Sequence, residues 1–425
     1  MYSLITALGV GEYQNGYRKT AYKFDGIEKP ITANLFFKAI LQSKKYNIEK
    51  IIIIGTRTSA WDMLAEDIGN ADLWAQLFEV CQRPDGNKEA KGVSDALLTE
   101  LQTALSEHYR LPVFLIAHTP VIENSTISTL FNDYMEAINH ASETEDVILD
   151  ITHGFRSMPV FMYQSLLFKF SHRPKRNIKI IYGEYISEKQ ISEVRDLSAY
   201  WELSQITESK NLFFTQLSGK LLAEKLIGSW ESCAKCIRVF SDIVENNYAL
   251  QIPVILSQIE NVLKKPHETP FWANDIETFL LKFKERISAP ALHETLYKYS
   301  LFLAERKLYV QAVIALQISV ETKIITVISG EETDDIGDYD KWQGKDDEQS
   351  EGYRKKYLII RKNFPARKQL IRLENLRNQI AHGGSKSRGM KGVPQAANTK
   401  AIFESAQKAV KDFFRFADEY IAVIQ

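Results

Sequence analysis

Cysteine is scarce in this chain, with three residues among 425. Cys233 and Cys236 have the spacing of half a zinc or redox site, but no second pair and no histidine partner accompany them. This shortage argues against a structural metal site, and we interpret both residues as reduced thiols on one helix. Because reduced thiols are typical of the cytoplasm, we expect the protein to be cytoplasmic.

Long hydrophobic runs are also missing. No stretch of about 18 apolar residues occurs, and the longest runs, Ile51–Ile54 and Val113–Ala117, are short enough to be strands. The chain begins with a strand-like segment, Ser3–Leu8, without the basic region that opens a secretory signal. We therefore expect no secretory signal and no membrane partner.

An excess of charge of one sign is absent, since the formal net charge is −1 at pH 7. Local charge is more informative: residues 354–372 hold eight Lys and Arg residues and no acid, whereas the Asp-, Glu- and Gly-rich residues 331–351 predict a solvated loop. A basic run is commonly a solvated helix face, but its position beside the C-terminal motif described below favours a surface that binds polyanions. The run consists of Arg354, Lys355, Lys356, Arg361, Lys362, Arg367, Lys368 and Arg372.

The length of the chain predicts two or three domains. Up to about residue 190, short apolar runs alternate with amphipathic stretches, which indicates a mainly parallel sheet covered by helices on both faces. Tyr17–Phe24, followed by Asp25-Gly26, predicts an added hairpin instead. The expected strands are Ser3–Leu8, Ala21–Phe24, Lys50–Ile54, Val113–His118, Asp146–Asp150 and Ile178–Tyr182, and the expected helices are Asn34–Lys45, Ala96–Tyr109, Ser128–Ala141 and Ser157–Phe170.

After about residue 198, strand patterns give way to helical periodicity. We predict an α/β domain over residues 1–195 and an all-α part over residues 196–425, which includes a helical connector near 195–250. The expected helices are Leu212–Leu226, Trp230–Val244, Ile276–Ile287, Leu296–Glu305, Val310–Ile328, Leu370–Ala381 and Ala401–Ile424.

A candidate catalytic motif, Arg377-Asn378-Gln379-Ile380-Ala381-His382, lies at the end of the helix predicted over Leu370–Ala381. Arg377 and His382 are about 140° apart around an ideal helix, so they do not share one face. The spacing suits a cleft in which two such helices meet across a two-fold axis and pool their Arg and His side chains.

The chemistry of this motif suits RNA cleavage by the ribose 2′-OH. Histidine titrates near neutrality and transfers protons, whereas arginine offers fixed donors to phosphate oxygens. Asn378 is placed to hold either side chain by a hydrogen bond. No carboxylate cluster with metal-ligand spacing lies nearby, so a metal-free mechanism is the simpler hypothesis. The alternative is a chance pairing in which His382 only caps the last carbonyls of the helix.

Three loops at carboxyl ends of predicted strands carry candidate ligand-binding residues, and ligands of open parallel sheets bind at that edge. The first contains Gly9, Gly11 and Tyr13, but it lacks the third glycine of a dinucleotide site. The others have hydroxyl and cationic side chains, which suit a phosphodiester, and His153 or Phe155 could stack on a base. They hold Thr152, His153, Gly154, Phe155, Arg156 and Ser157 after one strand, and Thr56, Arg57 and Thr58 after another.

A hydrolytic triad of Asp150, His153 and Ser157 is disfavoured, because all three residues come from one turn and no Gly-x-Ser-x-Gly elbow is present. Each loop alone could be a plain turn between a strand and a helix. Their occurrence together at one edge of the sheet favours a binding site.

Arg-Asn-x-x-x-His at a helix end resembles the signature of HEPN ribonucleases. Leu8-Gly9-Val10-Gly11-x-Tyr13, together with Asp-x-Thr-His-Gly-Phe-Arg-x-x-Pro at 150–159, resembles one subfamily of CARF domains. The chain is thus similar in both halves to the CARF–HEPN ribonucleases of type III CRISPR systems, although nothing anchors the likeness over about 200–300.

The resemblance implies a Rossmann-like CARF domain followed by an all-α HEPN domain, in a homodimer that serves antiviral defence. It implies a cyclic oligoadenylate activator, with cyclic tetra-adenylate favoured over hexa-adenylate, and no metal or cofactor. The catalytic residues would be Arg377, Asn378 and His382, and the substrate a single-stranded RNA cut to a 2′,3′-cyclic phosphate end. Some CARF domains also cleave the activator, and the sequence leaves this open.

Two other functions remain as alternatives. One is a ligand-sensing CARF regulator that binds nucleic acid through the basic run without cleaving it, although no helix-turn-helix spacing supports it. The other is a toxin-like HEPN protein whose Arg and His serve a partner or a nucleotide transfer.

Overall fold

The computed structural model describes residues 1–10, 19–81, 91–118, 127–141, 146–154, 157–170, 177–264, 270–329, 348–381 and 396–424. The chain folds into two compact units, Met1–Gln205 and Ile206–Gln425.

The first unit is built on one eight-stranded sheet in the order β3-β2-β8-β7-β6-β1-β4-β5. Five neighbouring strands, from β7 to β5, are parallel, as the sequence predicts. The strands are β1 Tyr2–Leu8, β2 Thr20–Lys23, β3 Ile31–Ala33, β4 Ile48–Thr56, β5 Val113–His118, β6 Asp146–Asp150, β7 Ile178–Ile186 and β8 Ile191–Asp196.

Both faces of this sheet are covered by helices, because successive side chains of its central strands alternate between two cores. Leu4 of β1 packs in one core and Ile5 in the other. Four helices cover the first face and two cover the second, and the helix that follows β8 begins against the second. They are α1 Phe36–Ser43, α2 Trp61–Asp67, α3 Ala71–Cys81 and α4 Asp95–Tyr109 on the first face, and α5 Ile127–Asn139, α6 Ser157–Phe170 and the start of α7 Ala199–Gln216 on the second.

Three strands at one side of the sheet break the parallel pattern. β8 is antiparallel to β7, β2 pairs in parallel with β8, and β3 closes an antiparallel hairpin with β2. The predicted hairpin is therefore confirmed, but its second strand and β8 are absent from the sequence prediction. Neither has an apolar run: β3 has three residues and four of the six residues of β8 are polar.

The second unit is helical throughout its described part, as predicted. Leu212–Leu226 is two helices rather than one, because Leu217 adopts a left-handed conformation and Gly219 packs directly against Ile237. The helices are the rest of α7, α8 Lys220–Leu226, α9 Glu231–Glu245, α10 Ile252–Lys264, α11 Asn274–Ile287, α12 Leu292–Glu305, α13 Tyr309–Ser329, α14 Glu348–Asn363, α15 Arg367–Ala381 and α16 Ala396–Ile424, with a short 3-10 turn, Ala249–Gln251, before α10.

Cys233 and Cys236 lie on one helix, as expected from the sequence. Cys233 and Cys236 are free and buried on α9, and burial raises the pKa of both thiols. Within the described residues, Tyr309–Ile328 of α13 is long and apolar enough to cross a membrane by composition, but 67% of it lies buried inside the unit. Its apolar character is that of a core helix.

Candidate functional site

The carboxyl edge of the parallel strands contains a point where the direction of strand addition reverses. From the central strand β1, the chain adds β4 and β5 on one side and then β6 and β7 on the other. Ligands of open α/β sheets bind in the crevice at such a point. The loops after β1, β4 and β6, which the sequence analysis singled out, therefore lie around one crevice.

The loops after β1 and β6 approach each other through glycines. A Cβ atom on Gly9 would lie 3.1 Å from the backbone nitrogen of Gly154. Gly154 has a φ of +105°, and a Cβ atom there would lie 2.8 Å from the sulfur of Met158. Both positions therefore require glycine, Gly9 for close backbone contact and Gly154 for conformation and space.

A buried carboxylate fixes the start of the loop after β6. Asp150 is 0% exposed, and it accepts hydrogen bonds from Thr6 Oγ1 at 2.6 Å and from the backbone nitrogen of Thr152 at 2.8 Å. Burial raises the pKa of Asp150, although His153 and these two donors oppose the shift. Asp150 thus joins β1 to the loop and has no surface of its own for a ligand.

His153 of the same loop contacts α1 and β2. Its Nε2 accepts a hydrogen bond from the backbone nitrogen of Phe36 at 3.3 Å and lies 3.4 Å from the hydroxyl of Tyr22. Burial lowers the pKa of His153 although Asp150 opposes this shift, and burial and Asp150 together raise the pKa of Tyr22 to about 12. A neutral His153 thus pins the loop to α1 and β2, a contact that the sequence analysis missed because Tyr22 is 131 residues away.

Thr152 and Ser157 frame the rest of the described loop. Thr152 Oγ1 accepts a hydrogen bond from the backbone nitrogen of Gly183 at 2.8 Å, and the same side chain is hydrogen-bonded to Asp150. Ser157 is the first residue of α6, so the N-terminal end of this helix lies at this edge. Such a helix start favours an anionic group.

Ser59 joins the third loop to the first. Its Oγ donates to the carbonyl of Leu8 at 2.8 Å and accepts from the backbone nitrogen of Thr56 at 2.8 Å, and Ala60 donates to the carbonyl of Gly9 at 3.0 Å. Ser59 is 0% exposed and is not among the site residues predicted from the sequence. The signal that could have found it is a hydroxyl in a tight turn that directly follows a buried strand.

The three predicted ligand-binding residues of this loop differ in their surroundings. Thr56 is 1% exposed and lies 3.1 Å from Ser59 through their side-chain oxygens, so its hydroxyl builds the turn. Thr58 is partly exposed. Arg57 points to the start of α4, where its guanidinium donates to the carbonyl of Val93 and pairs with Asp95 at 2.9 Å. That exposed ion pair is worth at most about 1 kcal/mol, so it could exchange for a ligand.

Arg377, the predicted catalytic arginine, is held by a buried carboxylate of another helix. Its Nη2 donates to Oε1 of Glu321 on α13 at 2.8 Å, and the same oxygen accepts from the side-chain amide of Gln317 at 2.9 Å. Glu321 is 3% exposed, whereas the side chain of Arg377 is 28% exposed. The guanidinium is therefore anchored from the inside and partly open to solvent. Asn378 follows on α15 and is partly exposed.

Five predicted site residues lie outside the described residues: Gly11, Tyr13, Phe155, Arg156 and His382. Within the described ranges, no group of three or more His, Cys, Asp and Glu side chains is arranged to hold a metal ion.

The first unit is similar to a known protein family. Residues 3–185 match the family model described as the CARF domain of the CRISPR system endoribonuclease Csx1. A CRISPR-associated protein of Methanocaldococcus jannaschii is 25% identical over 314 residues, which cover 66% of this chain and 48% of that protein. The chain thus spans about half the length of the relative that it matches. Among solved structures, Enterococcus italicus Csm6 bound to cyclic hexa-2′-fluoro-hexa-dAMP aligns over 97% of this chain and 94% of that chain, with 12% identity and a TM-score of 0.28.

Proposed function

Because this chain is a CARF-containing protein of type III CRISPR systems, we propose that it is an endoribonuclease activated by cyclic oligoadenylate. In this proposal a homodimer in the cytoplasm cuts single-stranded RNA without a metal ion, as part of antiviral defence. The matching family model is described as that of an endoribonuclease, which supports this class of activity.

The observation that carries the sensing half of the proposal is the joining of three loops around the crevice between β1 and β6. Buried hydrogen bonds of Asp150 and Ser59 hold the described parts of these loops in place, which lowers the ordering free energy lost there on binding. The start of α6 and the hydroxyl of Thr58 suit the phosphodiesters of an adenylate ring. Arg156, by its place in the sequence, would add a cation.

The proposed cleavage begins at the ribose 2′-OH beside the scissile phosphate. A base removes the hydroxyl proton, the 2′-oxygen bonds to phosphorus, and the bond from phosphorus to the 5′-oxygen breaks as an acid protonates that oxygen. The products are an RNA with a 2′,3′-cyclic phosphate and an RNA with a 5′-OH. We assign Arg377 to the phosphate oxygens, His382 to proton transfer and Asn378 to holding one of them.

Regulation in this proposal follows from symmetry. Two copies of the crevice would hold one ring across the two-fold axis, with cyclic tetra-adenylate favoured over cyclic hexa-adenylate. Binding can bias a rearrangement of the subunits only if the two states differ in affinity for the ring. The favoured state would be the one in which the paired Arg377 and His382 side chains form a competent cleft.

The proposal is tested by incubating the full chain with end-labelled single-stranded RNA in EDTA, with cyclic tetra-adenylate, cyclic hexa-adenylate or no ring. We expect ring-dependent cleavage, and we expect Arg377→Ala and His382→Ala each to lower its rate by at least about 100-fold. Lys282→Ala, at an exposed position of α11, is the matched control and should cleave like the parent.

Undiminished cleavage by His382→Ala would contradict the assigned site. A ring-dependent shift of duplex DNA without RNA cleavage would instead identify the ligand-sensing regulator that the basic run also suits. Loss of activity in EDTA that Mg²⁺ restores would contradict the metal-free mechanism.

A further inference from the structure

Helices α14 and α15 form a densely basic surface next to Arg377. Its exposed cations are Lys355, Lys356, Lys362, Arg367, Lys368 and Arg372. Between residues 355 and 381 the sequence contains one carboxylate, Glu374, and the structure pairs it with Arg361. Hence the local charge is positive and unbalanced.

Several other exposed lysines of the same unit form ion pairs. Lys220 pairs with Asp242 and Glu245, and Lys264 pairs with Glu260, as is usual on a solvated helix face. No carboxylate of the described residues forms an ion pair with the side chains of Lys356, Lys362, Lys368 or Arg372. The positive charge of these four side chains is thus available to an anionic partner.

Large apolar side chains lie between the cations. Leu358 is 49% exposed, Ile359 is 52% exposed and Ile371 is 36% exposed. On α14 the spacing puts Lys355, Ile359 and Lys362 on one side of the helix. Alternating charge and apolar area suits a nucleic acid with unpaired bases, because its phosphates and its base faces both need contacts. A duplex, whose bases are stacked inside, would leave the apolar area unused.

The basic surface continues to the proposed catalytic residues. Steps of three or four residues lead along one side of α15 from Lys368 through Arg372 and Asn375 to Asn378. At 1.5 Å per residue this path is about 15 Å long. Arg361, anchored by Glu374, and Arg377, anchored by Glu321, flank the path.

We propose that the basic surface of α14 and α15 binds the RNA chain on one side of the scissile phosphate and leads it to Arg377. This inference deepens the proposed function and depends on it for the identity of the substrate. It assigns affinity for the substrate to residues that have no part in the chemical step.

Binding is to be measured by fluorescence anisotropy with labelled single-stranded RNA, in EDTA with cyclic tetra-adenylate, over a series of salt concentrations. The His382→Ala chain serves as parent so that the RNA stays intact. The test variant adds Lys362→Ala, Lys368→Ala and Arg372→Ala. A matched control adds Lys235→Ala, Arg238→Ala and Lys282→Ala, which remove three exposed cations from α9 and α11.

We expect the test variant to bind RNA at least about 10-fold more weakly at low salt, because three phosphate contacts are lost. The slope of log K against log salt should become shallower by about 2, because each of the three lost phosphate contacts contributes about 0.7 for a single strand. The control should match the parent in both quantities. Because all six substituted residues are exposed, the melting temperatures should also agree.

Equal slopes for the test variant and the control would overturn the inference, as would a parent that does not bind RNA. Equal competition by a DNA duplex of the same length would overturn the assignment to single strands. The proposed function can fail separately. If RNA binding depends on this surface but the unmodified chain does not cleave RNA, the proposed cleavage is refuted and the role of the surface in binding is not. If the chain that retains His382 cleaves RNA at the same rate with and without the triple substitution, the role of the basic surface is refuted and the proposed cleavage is not.

Discussion

Arg377 Nη2 lies 2.8 Å from Oε1 of Glu321, a carboxylate that is 3% exposed and comes from a helix 56 residues earlier in the chain. Gln317 donates to the same oxygen, so a second hydrogen bond holds the acceptor in place. A charge-assisted bond of this kind is worth roughly 1.5–3 kcal/mol. It orients Arg377, whose side chain is 28% exposed.

Glu321→Gln should lower the rate of RNA cleavage by about 10- to 100-fold, because the loss of the buried charge weakens the contact that orients Arg377. Since Glu321 has no assigned contact with RNA, the KM for RNA should change less than kcat. Single-turnover kinetics at saturating RNA measure the effect, with Glu285→Gln at an exposed position of α11 as control. An unchanged or faster rate would show that Glu321 does not position Arg377.

Asp150→Asn should raise the concentration of cyclic oligoadenylate needed for half-maximal cleavage by about 10-fold. The substitution removes the negative charge that strengthens the bonds from Thr6 and Thr152, at a cost of roughly 1.4 kcal/mol. The maximal rate should stay near that of the parent. Asp146→Asn, at the other end of β6, is the control, and an equal effect of both substitutions would contradict a special role for Asp150.

Gly154→Ala should destabilise the first unit more than Gly26→Ala does. Both glycines have positive φ, at +105° and +78°, but the added Cβ meets Met158 only at Gly154 and meets nothing within 4 Å at Gly26. We expect a cost of about 1 kcal/mol for Gly26→Ala from backbone strain and at least about 2 kcal/mol for Gly154→Ala. Urea unfolding measures both values, and equal costs would contradict the packing assigned to Gly154.

The second unit should lose stability as the pH falls from about 6.5 to about 4. His293 is 6% exposed, and burial, together with Lys323, lowers its pKa to about 4. The unfolded chain therefore binds more protons than the folded chain in this window, so the free energy of unfolding decreases as the pH decreases. The loss attributable to His293 is at most about 3 kcal/mol.

His293→Phe keeps a ring against Phe414 and removes the titrating group. Urea unfolding at pH 7 and near pH 4 should therefore show a smaller loss for this variant than for the parent. His108→Phe, at an exposed position of α4, should leave the loss unchanged. A loss in His293→Phe as large as in the parent would contradict the role given to His293.

The parallel part of the sheet was predictable because buried parallel strands are continuous apolar runs. The fold class is confirmed, and so is the resemblance of the first unit to CARF domains. The missed strands lack that pattern, because β8 is mostly polar and β3 has three residues. The sequence prediction also omitted the helices α2, α3, α10 and α14, and α14 begins at Glu348, inside the loop expected over residues 331–351.

The position of the three loops at one edge was likewise predictable, since parallel strands share a carboxyl edge. The contacts between them were not, because they join residues far apart in sequence, as Ser59 joins Leu8 and His153 joins Tyr22. The sequence analysis also predicted that Arg57 binds the ligand, whereas its guanidinium contacts Val93 and Asp95 at the start of α4. The roles of the predicted site residues stay predictions until binding and cleavage are measured.

The central claim is tested most directly by the initial rate of cleavage of labelled single-stranded RNA in EDTA as cyclic tetra-adenylate is titrated. The account predicts a rate that rises with the ring and saturates, with products that end in a 2′,3′-cyclic phosphate, and a flat response for His382→Ala. A rate that stays at the background level at every concentration of both cyclic tetra-adenylate and cyclic hexa-adenylate would contradict it.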